Sequence, residues 1–274
     1  MTSASLTHDP AENRPDMATL RAVAQPPGTL GRRNAEHWAG PLYLRKGSIH
    51  VTRWLLPTGI SANGVTWVMI VVGLAGAAAL MLPGLWGAVL AALGMQLQIL
   101  LDCSDGEVAR WRQRFSPAGV YLDRVAHYST EAALPIALGV RADGGPGSFG
   151  GWTTVGALVA VLVLLVKAET DLVHVARAFA GRPLVSDDAA TAAPRAGALA
   201  TLRRTARSLP FNRAFVAIEF SLLALVAAVV DRAVVDTTAG DLAGTRWLLV
   251  LLVPAALVTV LGHLASVLAS SRLR

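Results

Sequence analysis

The stretch from Asp102 to His127, DCSDGEVARWRQRFSPAGVYLDRVAH, sets Asp102, Asp105, Asp123 and His127 at fixed spacing beside two long apolar segments. Asp102 and Asp105 are three apart and Asp123 and His127 four apart, so on helices each pair shares one face and presents two ligands. Gly106 and Ala109 lie on or next to the first face and Gly119 opens the second, which lets a bulky ligand approach the backbone. Arg110 places one cation a turn beyond Gly106. Hard oxygen ligands suit magnesium or manganese, and a guanidinium suits phosphate oxygens. Such a set is equipped for phosphoryl transfer.

The elements that must position these groups are helices in a membrane. The chain has 274 residues, 54% of them hydrophobic and 15% charged, with a mean hydropathy of +0.51. That is too apolar for a soluble domain of this size and predicts an all-α, polytopic membrane protein. Six apolar stretches, 65–82, 85–101, 120–140, 152–166, 214–230 and 247–268, are expected to be transmembrane helices. The second runs directly into Asp102, and the third carries Asp123 and His127 in its first turns. Ionisable groups at membrane depth are costly and mark a site, so these turns must face a wet or metal-filled cavity. Gln96 and Gln98, late in the second stretch, are expected to pair with a neighbouring helix, and His263 in the sixth to pack against one. Asp171 and His174 are read as a solvated helix face.

Residues 1–36, with Pro10, Pro15, Pro26 and Pro27 among polar groups, read as a disordered tail. Residues 37–57 read as an interfacial amphipathic helix, with Trp38 and Trp54 at head-group level and Arg45, Lys46 and Arg53 toward phosphate. Gly40-Pro41 and Gly47 interrupt its period and leave an ordinary linker as the alternative. The six-helix domain is then 58–274. No signal-peptide pattern precedes it, so the first span directs insertion.

The net charge of +6 does not point to nucleic acid, because the cations sit in tails and loops between apolar segments. Lys and Arg crowd 1–57, 102–118, 168–213 and the C-terminal tail, whereas the opposite loops hold Arg141, Arg232 and Arg246. This distribution predicts that both termini and the acidic motif face the cytoplasm, in the plasma (cytoplasmic) membrane, with anionic membrane lipids as neighbours. Arg203, Arg204, Arg207 and Arg213 in the long fourth loop serve topology and lipid attraction, or hold a phosphate of the acceptor or donor. A single cysteine, Cys103, excludes an intramolecular disulfide framework.

The pattern Asp102-x2-Asp105-Gly106-x2-Ala109-Arg110-x8-Gly119-x3-Asp123-x3-His127 resembles the signature of the CDP-alcohol phosphotransferase family of membrane enzymes. Seven of the eight fixed positions match; the last is aspartate in the family and His127 here. Upstream, RWLLPTGISANGVT at 53–66 is similar to the family's lead-in to its first membrane helix, with Ala62 at the usual proline and Asn63 and Thr66 in keeping. The resemblance implies transfer of a phosphatidyl or other substituted phosphoryl group from a CDP-alcohol, with CDP-diacylglycerol the working choice of donor, to an alcohol acceptor, with release of CMP in phospholipid biosynthesis. It implies Mg2+ or Mn2+ on Asp102, Asp105 and Asp123. Asp105, Gly106, Ala109, Arg110 and Gly119 receive nucleotide and diphosphate, Asn63 and Thr66 lie on the nucleotide side, and the protein is a homodimer. His127 takes the position of general base and second-metal ligand. It is read as the base, as a nitrogen ligand that shifts metal preference, or as the mark of a catalytically silent CDP-binding member. A membrane transporter is the competing class, and it predicts acidic residues spread across the bilayer rather than crowded at one interface.

Overall fold

Asp16 opens the first helix, α1 (Met17–Ala24), by accepting hydrogen bonds from the Ala18 and Thr19 backbone N–H groups. A computed structural model describes residues 8–27, 38–183, 211–234, 242–270 and 273; its regular structure there is helical, without strands. After α1 come a short π-turn (Gly40–Leu44), α2 (Arg45–Leu55) and a 3-10 turn (Leu56–Thr58). The long helices follow: α3 (Ala62–Leu80), α4 (Leu85–Trp111), α5 (Pro117–Ala142), α6 (Gly151–Phe179), α7 (Ala217–Val234) and α8 (Ala243–Ala269). The chain forms two compact units, one of residues 1–73 and 96–127, the other of 74–95 and 128–274.

The first unit packs around Leu20, Ala24, Ile49, Leu56, Val65, Met69, Leu101, Val108 and Trp111. Leu20 and Ala24 come from the segment that composition assigns to a disordered tail, and for residues 8–27 that expectation is corrected. The His8 ring hydrogen-bonds to the Trp111 carbonyl at 2.8 Å, and the Trp111 indole donates to the Glu12 carbonyl at 2.9 Å. Full burial of Leu20 contributes about 1.5–3 kcal/mol, which offsets the ordering entropy of a residue or two. A short apolar run inside a Pro-rich polar stretch is enough when a groove awaits it. The rest of the predicted tail, 1–7 and 28–36, lies outside the described residues.

The helix expected over 37–57 is built in pieces. Gly40-Pro41 yields a π-turn, and Gly47 sits inside α2, where a Cβ would lie 3.3 Å from the Leu100 side chain. Ser48, Ile49 and Thr52 form its buried face, while Trp54 is 82% exposed. Gly59, at φ +73°, ends the turn that follows. Arg112 closes the junction by donating to the carbonyls of Leu56, Gly59 and Ile60.

The second unit is a bundle whose core draws Leu80, Met95, Leu134, Leu138, Val159, Phe220, Leu249 and Leu252 from six helices. α5 and α6 pack backbone to backbone. A Cβ on Gly156 would stand 2.3 Å from the Pro135 carbonyl oxygen, and one on Gly139 2.5 Å from that of Trp152.

Among the described residues four helices, α3, α4, α6 and α8, are long and apolar enough to cross a membrane. α5 carries Asp123, Arg124, Glu131 and Arg141, and α7 has 18 residues that include Glu219, Asp231 and Arg232. Those charges set α5 and α7 apart from the other four. Arg141, expected in a solvated loop, is instead fully buried. Its guanidinium donates to the carbonyls of Leu82 and Gly84 and to Thr245 Oγ1, and lies 3.9 Å from Asp231. Asp231 in turn accepts from the Thr245 N–H and hydroxyl.

Candidate active site

The first unit gathers most of the groups singled out by spacing. α4 carries Asp102 and Asp105 near its C-terminal end, and α5 starts at Pro117, a residue suited to a first helical turn, so that Asp123 and His127 follow within its opening turns. His127 Nε2 lies 3.2 Å from Asp102 Oδ1 and 3.6 Å from Asp123 Oδ1. These three side chains are partly exposed, at 25% for His127, 28% for Asp102 and 42% for Asp123. One ligand atom from each lies within 4.8 Å of the others. Two carboxylates and a ring nitrogen at that separation fit a divalent cation of the magnesium or manganese type, with room left for other ligands.

Asp105 stands outside this trio, although spacing alone pairs it with Asp102. Its Oδ2 accepts a hydrogen bond from Thr66 Oγ1 at 2.7 Å, and Thr66 also reaches back to the Ala62 carbonyl. Asn63, one turn before Thr66, faces Gly119, where a Cβ would lie 3.1 Å from its Oδ1. The opening turn of α3 therefore meets α4 through Asp105 and α5 through Gly119, using the two upstream residues that sequence placed on the nucleotide side.

Arg110 is turned in a direction that spacing does not foretell. Its Nε donates to the Ala24 carbonyl at 2.5 Å, and its guanidinium folds over Gly106, where a Cβ would stand 3.1 Å from Nη1. The space at Gly106 is thus filled by the chain's own arginine. Ala109, beside it, is half-buried. Arg213 lies exposed in a short 3-10 turn (Phe211–Phe215) of the other unit, and Arg203, Arg204 and Arg207 fall outside the described residues.

Sequence reasoning missed Glu107, which lies inside the motif and is completely buried. It accepts from Gln25 Nε2 at 2.7 Å, Ser48 Oγ at 2.5 Å and Thr52 Oγ1 at 2.6 Å, with Arg45 at 3.9 Å. A buried carboxylate is tolerated when it is both hydrogen-bonded and paired, and here both conditions hold. The available signals were a carboxylate between Asp105 and Arg110 and the Ser48/Thr52 pair one turn apart on α2. Glu107 ties α1's C-terminal end and α2 to the helix that carries the acidic pair.

Of the two glutamines, Gln96 accepts from the Tyr43 hydroxyl. Gln98 is fully buried and its amide has no hydrogen-bond partner among the described residues, contrary to the expected helix pairing.

A further polar group belongs to the second unit. Lys167 meets Glu131 at 2.9 Å and lies 5.7 Å from the centre of the Tyr128 ring, while Tyr128 donates to Asp171 at 2.6 Å. Asp171 is therefore engaged rather than merely solvated. His263 packs against α6 through a 2.8 Å contact with Glu169, as its place in an apolar helix implies.

No curated protein matches the chain in sequence. A family model does, over residues 59–270, which takes in α3 to α8 and every member of the acidic trio. The helices long and apolar enough to span a bilayer make this an integral membrane protein. With that match over more than half of its length, the chain belongs to the CDP-alcohol phosphatidyltransferase family.

Proposed function

We propose that the protein transfers a phosphatidyl group from CDP-diacylglycerol to an alcohol in a metal-dependent reaction that releases CMP. The observation that carries this reading is the convergence of Asp102, Asp123 and His127 within 4.8 Å, inside the family-matched region. The oxygen of the acceptor attacks the phosphorus of the diacylglycerol phosphate, the bond to the CMP oxygen breaks, and the hydroxyl proton passes to a base. A divalent ion held by Asp102, Asp123 and His127 would neutralise diphosphate charge as CMP leaves. Thr66 steadies the Asp105 carboxylate, and Asn63 and Gly119 line the way in for the nucleotide. Arg110 reaches phosphate after exchanging the Ala24 carbonyl for it.

The orientation of His127 favours a ligand role over that of base. Nε2 is turned toward both carboxylates, whereas a base must face the attacking hydroxyl. His127→Asp then restores the family residue and retains CMP release with preference moved toward magnesium, while His127→Ala lowers release by about 100-fold at every pH. Loss of one limb of the pH–rate profile in His127→Ala would return the base role to the imidazole.

The reading as a silent family member draws on the same departure and on the engagement of Arg110 by Ala24. The test is CMP release by the purified full chain with CDP-diacylglycerol, a panel of alcohols and either metal. Cytidine-nucleotide binding without release from any alcohol would favour the silent member.

We further infer that α5 and α7 also cross the membrane, giving six spans, because Glu131, Arg141 and Asp231 turn inward to partners. Glu131 meets Lys167, and Arg141 meets Asp231. The cation distribution supports a cytoplasmic motif in the plasma membrane, with α2 at the interface and a homodimer as the assembly.

A further inference from the structure

His50, Arg53, Trp54 and Pro57 follow one another at i, i+3, i+4 and i+7, so α2 and the turn after it carry them along one face. Ser48, Ile49 and Thr52 are buried on the other face, which fixes the roll of the helix and sends the first set outward. Arg14, from the segment ahead of α1, joins them, and together they line a cleft of about 350 Å³. Arg14 is held there by its neighbours: Glu12 is bound through its carbonyl by Trp111, Pro15 is buried, and Asp16 caps α1.

Two guanidiniums and an imidazole thus line one cleft, and neither Arg14 nor Arg53 has an ion-pair partner among the described residues. Arg110, Arg112 and Arg141, by contrast, are spent on carbonyls or carboxylates. Unspent cations lining a concavity call for an anion with several acceptor oxygens, and phosphate matches the guanidinium fork. The cleft also has an apolar wall. Trp54, 82% exposed, and Pro57 supply it. Outside the cleft Leu42 is 60% and Tyr43 40% exposed, just ahead of α3, a distribution expected of a segment lying at the head-group level.

We propose that this cleft is a binding site for the head-group phosphate of an anionic membrane phospholipid, with Arg14, Arg53 and His50 on the phosphate and Trp54 and Pro57 against the glycerol and upper acyl region. The site is separate in its residues from the acidic trio and does not depend on the transferase reading. Its lipid acts as a bound structural component that fixes α2 and the segment ahead of α1 at the bilayer surface.

The test uses the full chain, delipidated in detergent, with lipid retention read by native mass spectrometry and thermal stability read in parallel. Phosphatidylglycerol is compared with phosphatidylcholine and with inorganic phosphate, in wild type, Arg14→Ala/Arg53→Ala, Trp54→Ala and Asp123→Asn. Wild type is expected to retain phosphatidylglycerol at least about 10-fold better than phosphatidylcholine, on the scale of charge-assisted hydrogen bonds to phosphate. The double variant loses that preference while keeping its CMP release, Trp54→Ala weakens retention of both lipids, and Asp123→Asn retains phosphatidylglycerol like wild type. Equal retention in wild type and the double variant overturns the site. Stabilisation by inorganic phosphate equal to that by the lipid overturns the lipid as its source, and loss of retention in Asp123→Asn assigns the bound lipid to the acidic trio instead.

Discussion

Two polar clusters lie within the helices, and they are finished to different degrees. The Arg141 group in the second unit is closed: its guanidinium meets two carbonyls, a hydroxyl and Asp231, and Asp231 takes both donors of Thr245. The trio in the first unit is open. Asp102 and Asp123 face one another with His127 as their ion-pair partner among the described residues, and all three retain access to solvent. A closed cluster spends its polar groups on holding helix ends together; an open one keeps acceptor capacity for something that arrives.

The contrast is broken most directly by removing charge from the open cluster. Asp123→Asn is expected to lower CMP release by about 1,000-fold or more with a melting temperature close to that of wild type; a large loss of stability with activity spared would make the trio structural. In the closed cluster the outcomes reverse. Arg141→Ala strands Asp231 and should cost about 3–5 kcal/mol, read as a lower melting temperature in detergent, whereas Arg141→Met with Asp231→Leu recovers most of it.

Smaller effects sharpen the same division. Gly156→Ala pushes a methyl group against the Pro135 carbonyl and should cost about 1–3 kcal/mol, with the reaction itself unaffected once the protein is folded. Asp143, in the turn between α5 and α6, is the mildest case. Burial opposes its charge, but hydrogen bonds from the Thr153 side chain and from the N–H groups of Thr153, Gly150 and Trp152 outweigh burial and hold its carboxyl below the usual range. Because the folded pKa is depressed, the stabilisation is present above the unfolded value of about 3.9 and is lost as pH falls through the lower folded value. Asp143→Asn should therefore cost about 0.5 kcal/mol or less near pH 7, since solvent screens so exposed a carboxylate, and narrow its gap to wild type in the acid range. A gap that stays constant down to pH 2 would show that the charge plays no part.

How much of this was legible in the sequence follows from the range of each interaction. Helix spacing sufficed for the Asp123/His127 pair, and the adjacent apolar segments sufficed for the all-helical fold. Spacing also put Asp105 beside Asp102, yet Thr66, 39 positions away, draws it aside. Arg141 read as a loop cation because hydropathy along the chain does not register Asp231 or Thr245, the latter 104 positions on. Ser48, Thr52 and Gln25 reach Glu107 across 59, 55 and 82 positions, so nothing local marked that carboxylate as a structural centre. The α1 segment was lost to composition, since the prolines and charges around it outweigh the one short run that packs.

Glu107 also bears on where this protein can be cut. The family match begins at residue 59, but the three hydrogen-bond donors to Glu107 all precede it. A chain trimmed to the shared region would keep Asp102, Asp105, Asp123 and His127 while leaving a carboxylate on α4 stripped of its donors. The shared region alone lacks the donors that satisfy its own buried carboxylate, and those donors come from the part of the polypeptide outside the family match.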